Sequence, residues 1–350
     1  MHVWHTSEIV LGSLLGAGGF SIVHDIKAFL LDRDYSSETE TATALFSDTS
    51  QNQAIQQKLS ASHISTDDLG IASSTKKCND SNFVPTICRQ KTRFVIKRLR
   101  PELQGEDRIK GIKDLAIEAN FLGSLSHENI VSLRGISDAD PCDTNGIFFV
   151  VLEKLVCTLE QRINHWRRGL PMHLKELWLD RLNVAHGIAS AILYLHSLRI
   201  IYRDLKPDNV GFDAIGTVKL FDFGLAKSIP LHSDSKDALF ILTGNTGSLR
   251  YMSPEVALNL PYNFQADTYS FGILFWQICA LYPPFNGYTR RMHAKFVIQK
   301  GYRPKLDASW PPSWSRLMRT CWASDIHTRP SFDEIVQILG EEQDKIISFV

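Results

Sequence analysis

Two short polar turns set among apolar residues, Asp204-Leu205-Lys206-Pro207-Asp208-Asn209 and Asp222-Phe223-Gly224, constrain this chain more than any other feature. Ile200-Ile201-Tyr202-Arg203 leads into the first and Leu220-Phe221 into the second. The turns and the residue before them bring together the carboxylates of Asp204 and Asp222, only 18 positions apart, with the amide of Asn209, the lysine Lys206 and the arginine Arg203. Carboxylate and amide oxygens suit a hard divalent cation such as Mg²⁺, and the set as a whole suits aiming a hydroxyl at a phosphate.

The rest of the chain divides by periodicity. Residues 9 to 31 alternate apolar and small residues around Gly16-Ala17-Gly18-Gly19, which predicts a hairpin with a glycine-rich tip. A strand is expected at Arg93-Phe94-Val95-Ile96-Lys97, and another from Gly146 to Glu153, ending in a hinge at Lys154-Leu155. Between Lys110 and Ser124 the apolar positions Ile112, Leu115, Ala119 and Leu122 step at helical spacing, with Glu118 on the same face. A carboxylate placed there needs a cationic partner. Leu182, Ala185, Ala189, Ile192 and His196 repeat the helical spacing, and the chain beyond reads as mainly helical to Leu339. Strands first and helices after predict an α+β fold of two unlike lobes, over 9–153 and 154–345. From 32 to 90 Ser, Thr, Asp, Asn and Gln dominate and no apolar period lasts, so this segment is expected to be a largely disordered insertion, with room for a short helix at Asn52 to Leu59.

The two polar turns resemble the catalytic loop and metal-binding turn of protein kinases, whose patterns are H-R-D-x-K-x-x-N and D-F-G, with Tyr202 standing where that family usually has His. The resemblance implies a two-lobed protein kinase fold, with a small antiparallel β-sheet lobe bearing one main helix and a larger, mainly helical lobe. It implies Mg-ATP as phosphoryl donor and a protein carrying Ser or Thr as acceptor. Asp204 matches the catalytic base and Lys206 the residue that neutralises the migrating phosphoryl group. Asn209 and Asp222 match the Mg²⁺ ligands. Lys97 matches the strand lysine that holds the α and β phosphates, and Glu118 its helix partner. The glycine-rich tip matches the nucleotide-covering loop, with Gly16, Gly18 and Gly19 approaching phosphate and Val23 behind them. Around the base the resemblance implies Val95, Leu152 guarding the back pocket, the hinge residues Glu153 and Leu155, and Gly211.

Further matches imply supporting roles. Ser253-Pro254-Glu255 ends the activation segment, Arg329 buries against Glu255, Asp267 anchors the catalytic-loop backbone, and Ser248 contacts the catalytic Asp and Lys. Arg203 implies regulation by activation-loop phosphorylation through an upstream kinase, with Thr243 and Thr246 favoured over Ser228, Ser233 and Ser235. The Asp-Leu-Lys-Pro-Asp-Asn string is similar to serine/threonine enzymes. Cys321-Trp322-Ala323-Ser324-Asp325 and the run Tyr269 to Trp276 resemble the tyrosine-kinase-like group.

Four positions depart from the family pattern: Ser21 for the third glycine, Tyr202 for His, Val95 for the small roof residue, and Gly211 for the aliphatic floor. They motivate an alternative, a pseudokinase acting as a nucleotide-binding scaffold. Intact Lys97, Glu118, Asp204, Asn209 and Asp222 argue for an active enzyme. A kinase of small metabolites is disfavoured by the complete Ser253-Pro254-Glu255 segment.

Composition excludes other classes. Lys plus Arg and Asp plus Glu both total 38, so no net field draws the chain to nucleic acid or an anionic membrane. The most apolar stretch, Phe271 to Tyr282, is shorter than the about 20 residues a bilayer span needs, and is expected to be a buried helix. Six scattered cysteines without a Cys-x-x-Cys pair, and an N-terminus lacking signal-peptide layout, predict a cytoplasmic protein, a nuclear one being compatible, with reduced thiols.

Overall fold

The structure is a computed structural model and describes residues 2–31, 86–87, 93–140, 147–169, 174–230 and 238–348. The expected insertion at 32–90 and its helix at 52–59 lie outside these residues, except for Thr86–Ile87, as do Ser233 and Ser235. The chain forms two compact units, one of residues 1–126 and 132–154, the other of 127–131 and 155–350.

The first unit is built on one sheet. Its strands are β1 (His2–Trp4), β2 (Ile9–Ala17), β3 (Ser21–Leu31), β4 (Thr86–Ile87), β5 (Phe94–Leu99), β6 (Leu133–Ser137) and β7 (Phe149–Glu153). They lie in the order β1-β6-β7-β5-β3-β2, with β4 on β3, and every pairing is antiparallel except β1 with β6. Helix α1 (Gly105–Ser124) is longer at its start than the periodicity predicts, and its buried face is Gly111, Leu115, Glu118 and Leu122.

Register decides which side chains share a face of this sheet, because successive residues alternate and directly opposed residues point the same way. Ile96 lies opposite Val151, and these two pack with Ile26, Phe94, Phe149, Ile9 and Trp4 into the unit's apolar core. Trp4 also stacks on Phe29 at 4.4 Å between ring centroids. A Cβ at Gly135 would come within 2.6 Å of the Trp4 ring, so only glycine admits the tryptophan there. The unit extends N-terminal of the bound expected at residue 9, because β1 is only three residues long, too few to show an alternation in sequence.

The second unit is helical around a small ladder. Strand β8 (Cys157–Thr158) runs into α2 (Leu159–Arg167), which Thr158 caps: its hydroxyl accepts from Gln161 N–H while the Gln161 side chain accepts from Thr158 N–H. Helix α3 (Leu174–Ser197) buries Leu182, Ala185, Ala189 and Ile192, the stripe expected from spacing. Strands β9 (Ile200–Ile201), β10 (Val210–Phe212), β11 (Val218–Leu220) and β12 (Lys227–Ser228) follow. Helix α4 (Gln265–Ala280) is buried on nearly every side, with apolar Phe271, Ile273, Leu274, Phe275 and Ile278 and the buried polar Asp267, Thr268, Ser270 and Gln277, as a central helix is. Leu281, at φ 60°, ends it. Helices α5 (Pro312–Cys321) and α6 (Phe332–Ser348) enclose it, with Trp314 against Phe275 and Phe332 edge-on to Phe271. No helix among the described residues is long and apolar enough to cross a membrane.

Candidate active site

The pairing of β10 with β11 brings the two polar turns together. Val210 lies opposite Leu220, so the turn ending at Asn209 and the turn beginning at Phe221 emerge at the same end of the ladder. Phe221 N–H closes the junction by donating to the Asn209 carbonyl at 3.0 Å. Tyr202, fully buried, ties the preceding chain to the same point. Its hydroxyl donates to the Phe221 carbonyl, and its ring meets Phe223 edge-on at 5.4 Å. The aromatic ring expected beneath Phe223 is therefore present, and the hydroxyl adds a hydrogen bond.

Three donors hold the Asp204 carboxylate. Ser248 Oγ donates to Oδ1 at 2.9 Å, while Lys206 Nζ at 2.6 Å and Asn209 Nδ2 at 2.9 Å share Oδ2. Asn209 Nδ2 also donates to the Asp204 carbonyl at 3.0 Å. Both atoms facing that amide are acceptors, so its nitrogen must face them and its Oδ1 is the atom left for a cation. Asp222 follows at φ 65°, a left-handed backbone that turns the chain sharply at the metal-type aspartate. Among the described residues no three His, Cys, Asp or Glu side chains cluster as a metal cage. The Asp222 carboxylate and the Asn209 amide oxygen instead suit Mg²⁺, which keeps waters and takes further oxygens from a phosphorylated substrate.

A second layer fixes this frame. Asp267, buried on α4, accepts from Tyr202 N–H and Arg203 N–H, both at 2.8 Å, and its Oδ2 lies 2.9 Å from His196 Nε2. Arg203 Nε donates to the Leu225 carbonyl, and Arg203 Nη1 to the Tyr262 hydroxyl, which itself donates to the Thr243 carbonyl. Gly247 sits at φ 95°, and a Cβ there would lie 2.4 Å from the Arg203 carbonyl, so glycine is obligatory. Arg329 and Glu255 form a buried bidentate pair at 2.6 and 3.0 Å. The roles expected for Asp267, Arg329 and the Asp204 contact of Ser248 thus correspond to observed bonds. His196, Tyr262 and Gly247 were missed as supports. His196 reads in sequence only as one step of a helical period, and nothing local marks the other two.

In the first unit, Lys97 Nζ and Glu118 Oε2 form an ion pair at 2.5 Å, with Glu118 only 2% exposed on the inner face of α1. Val23 lies opposite Lys97, and Val95 opposite Leu152. By strand alternation Val23, Val95, Lys97 and Leu152 therefore share one face, the one turned away from the Trp4 core. Glu153 is on the other face, where its carboxylate accepts from Ser132 N–H at 2.8 Å. Its own N–H donates to Ser132, and Lys154 N–H to Arg93. Gly16, Gly18 and Gly19 keep ordinary negative or extended φ, and a Cβ at Gly16 or Gly19 would meet nothing within 4 Å. Local backbone geometry gives no reason for glycine at those two positions, whereas close approach of a ligand to the backbone does.

The floor expected to be missing at Gly211 is filled by neighbours. A Cβ on Gly211 would lie 2.7 Å from Leu155 Cδ1 and 3.3 Å from Phe221 Cε1, because the Leu155 side chain folds over the glycine. Leu155 thus takes the volume that a larger residue at 211 would occupy.

A family model described as protein tyrosine and serine/threonine kinase matches residues 80–339. The chain belongs to that family, as a eukaryotic protein kinase of the tyrosine-kinase-like type. It is 30% identical over 259 residues to serine/threonine-protein kinase STY17 of Arabidopsis thaliana, covering 74% of this chain and 42% of that protein. It is 30% identical over 257 residues to serine/threonine/tyrosine-protein kinase HT1 of the same plant, covering 72% and 60%. To dual specificity protein kinase shkA of Dictyostelium discoideum it is 32% identical over 237 residues, covering 66% and 42%. The chain thus spans between about two fifths and three fifths of these relatives' lengths.

Proposed function

We propose that this chain transfers the γ-phosphoryl group of ATP, with Mg²⁺, to serine or threonine hydroxyls of proteins. The observation that carries the reading is the restraint of Asp204 by Lys206, Asn209 and Ser248. Asp204 aligns the acceptor hydroxyl and takes its proton late, as the new O–P bond forms and the bond to the departing ADP oxygen breaks. Lys206, bonded to the same carboxylate, lies where it can offset charge on the group in transit. Positioning and electrostatics of this kind supply most of the rate in phosphoryl transfer. Asn209 Oδ1 and the Asp222 carboxylate would hold Mg²⁺, which supplies neutralisation of phosphate charge. Lys97, oriented by Glu118, would bind the α and β phosphates. Val23, Val95 and Leu152 would contact the base, with Leu155 replacing the floor lost at Gly211. The complete Lys97, Glu118, Asp204, Asn209 and Asp222 set favours an enzyme over a nucleotide-binding scaffold.

Regulation by an upstream kinase belongs to the same proposal. Arg203 and Tyr262 already link the catalytic loop to Thr243 through the bonds described above, and a phosphate on Thr243 or Thr246 would gain charge-assisted bonds to a guanidinium close at hand.

Purified chain incubated with labelled ATP, Mg²⁺ and a protein substrate should incorporate phosphate, at a turnover in the range of roughly 1–100 s⁻¹. An Asp204→Ala variant prepared identically should not. Equal signal from both would assign the activity to a contaminant and overturn the reading.

A further inference from the structure

Asp25 and Lys154 form an ion pair across the sheet of the first unit. Lys154 Nζ lies 2.8 Å from both carboxylate oxygens of Asp25, so one ammonium group takes up the whole charged end of the acid. The two residues are 129 positions apart, and no motif marks either. Register places the acid. Asp25 lies opposite Val95, and Val95 opposite Leu152, so Asp25 shares the face of the sheet that carries Val23, Lys97 and Leu152. Lys154 follows Leu152 by two residues and returns to that face. Strand β5 lies between β3 and β7, so the pair bridges over β5 beside Val95. On the other side of Asp25, a Cβ on Gly12 would lie 3.0 Å from Asp25 Cβ and 3.1 Å from its carbonyl oxygen, so glycine at 12 lets β2 and β3 close up there.

A carboxylate is the group least suited to a face that takes a polyphosphate, because anions repel in a partly desolvated place. At 27% and 32% exposure, Asp25 and Lys154 also gain little folding stability from their pairing. What the pair does restrain is the point where the chain leaves the sheet. Strand β7 ends at Glu153, and one further backbone bond, Lys154 N–H to the Arg93 carbonyl at 2.7 Å, holds the chain beyond it. We propose that Asp25 and Lys154 are positioning residues for the nucleotide: their pair anchors the end of β7 toward β3, so that the hinge from Glu153 to Leu155 keeps one course beside the base. This role rests on the nucleotide-binding reading of the face given above. Charge alone predicts something different. An Asp25 left without its lysine would repel ATP, whereas loss of the Asp25 charge would attract it; a positioning pair fails whichever member is lost.

Titration of Mg-ATP and of adenosine into the full chain and its variants, with steady-state kinetics at varied ATP, tests the role. Lys154→Met and Asp25→Asn should each weaken binding of both ligands by roughly three- to fivefold and raise the KM for ATP more than they lower kcat. Lys154→Arg, which keeps a bidentate donor, should bind as wild type, and the exchanged pair Asp25→Lys with Lys154→Asp should recover most of the loss. The thermal midpoint of each single variant should stay within about 4 °C of wild type. Adenosine carries no phosphate, so its response separates positioning from attraction or repulsion of charge. An Asp25→Asn chain that binds ATP more tightly and adenosine unchanged would overturn the proposal. So would single variants that bind both ligands as wild type, a loss that neither Lys154→Arg nor the exchanged pair avoids, or an affinity that falls only as the midpoint falls. Wild type that binds nucleotide and transfers no phosphate would overturn the transfer reading alone, the titrations still deciding the role of the pair. Wild type that binds neither ligand would overturn both.

Discussion

The hydroxyl of Tyr202 donates to the main-chain carbonyl of Phe221, the residue that introduces the Asp222 turn. One side chain thereby ties the start of the catalytic loop to the end of β11, and its ring adds the edge-on contact with Phe223. Tyr202→Phe keeps the ring and orphans the carbonyl. The expected cost is about 1–3 kcal/mol in urea unfolding, the penalty for a buried acceptor without its donor. Tyr202→His, which keeps a ring donor, should cost less, and the two variants should rank in the same order in phosphoryl-transfer rate.

Gly211 and Leu155 share one volume. Gly211→Leu should destabilise by about 1–3 kcal/mol, since the added side chain meets Leu155 Cδ1 and, at 3.2 Å, the Cys157 carbonyl. Combined with Leu155→Ala, the substitution should recover part of that loss, and a double-mutant cycle read by denaturation would show positive coupling. Nucleotide titration of Gly211→Leu alone should show altered affinity, because Leu155 must move. Unchanged affinity would mean that Leu155 does not serve as the floor.

The Arg329–Glu255 pair is buried at both ends, with the arginine side chain at 0% and the glutamate at 11% exposure. Arg329→Ala should cost about 3–5 kcal/mol, because Glu255 is left charged in a poorly solvated place. Arg329 Nε and Nη1 also serve the Ala323 and Gln265 carbonyls, so Arg329→Lys should rescue only partly. Thermal unfolding of the three proteins would give the ranking.

His293 is buried at 2% exposure, and neither ring nitrogen has a hydrogen-bond partner among the described residues. Burial, followed by the nearby cations Arg250 and Arg303, lowers its pKa from 6.5 to about 4. The unfolded chain therefore takes up this proton as pH falls through 6.5, and the folded chain only near 4. Stability is present in full above 6.5 and is lost as pH drops toward 4, by up to about 3 kcal/mol from this group. His293→Leu should flatten that part of the acid limb in urea midpoints measured at pH 7, 5.5 and 4.5. A slope equal to wild type would show that other groups carry the acid sensitivity.

Membership of the kinase family was legible in the sequence, because the motifs that carry it sit on short turns at fixed spacing. The hydrophobic period also exposed α1, with Glu118 on its inner face and a demand for Lys97. The expectation of a buried helix from Phe271 met α4 as far as Ala280, because so apolar a run has only the interior to occupy, while Leu281 ends the helix and Tyr282 is exposed. Other features depend on chain segments far apart in sequence, and local pattern cannot encode them. The pairing of β1 with β6, and the glycine that Trp4 imposes at 135, arise from contact between the N-terminus and a distant strand. Leu155 filling the space at Gly211, the Tyr202 hydroxyl on the Phe221 carbonyl, and the close approach of Gly247 to the Arg203 carbonyl were decided by tertiary packing, where shape and the pairing of buried polar groups select among residues that the sequence alone leaves equivalent.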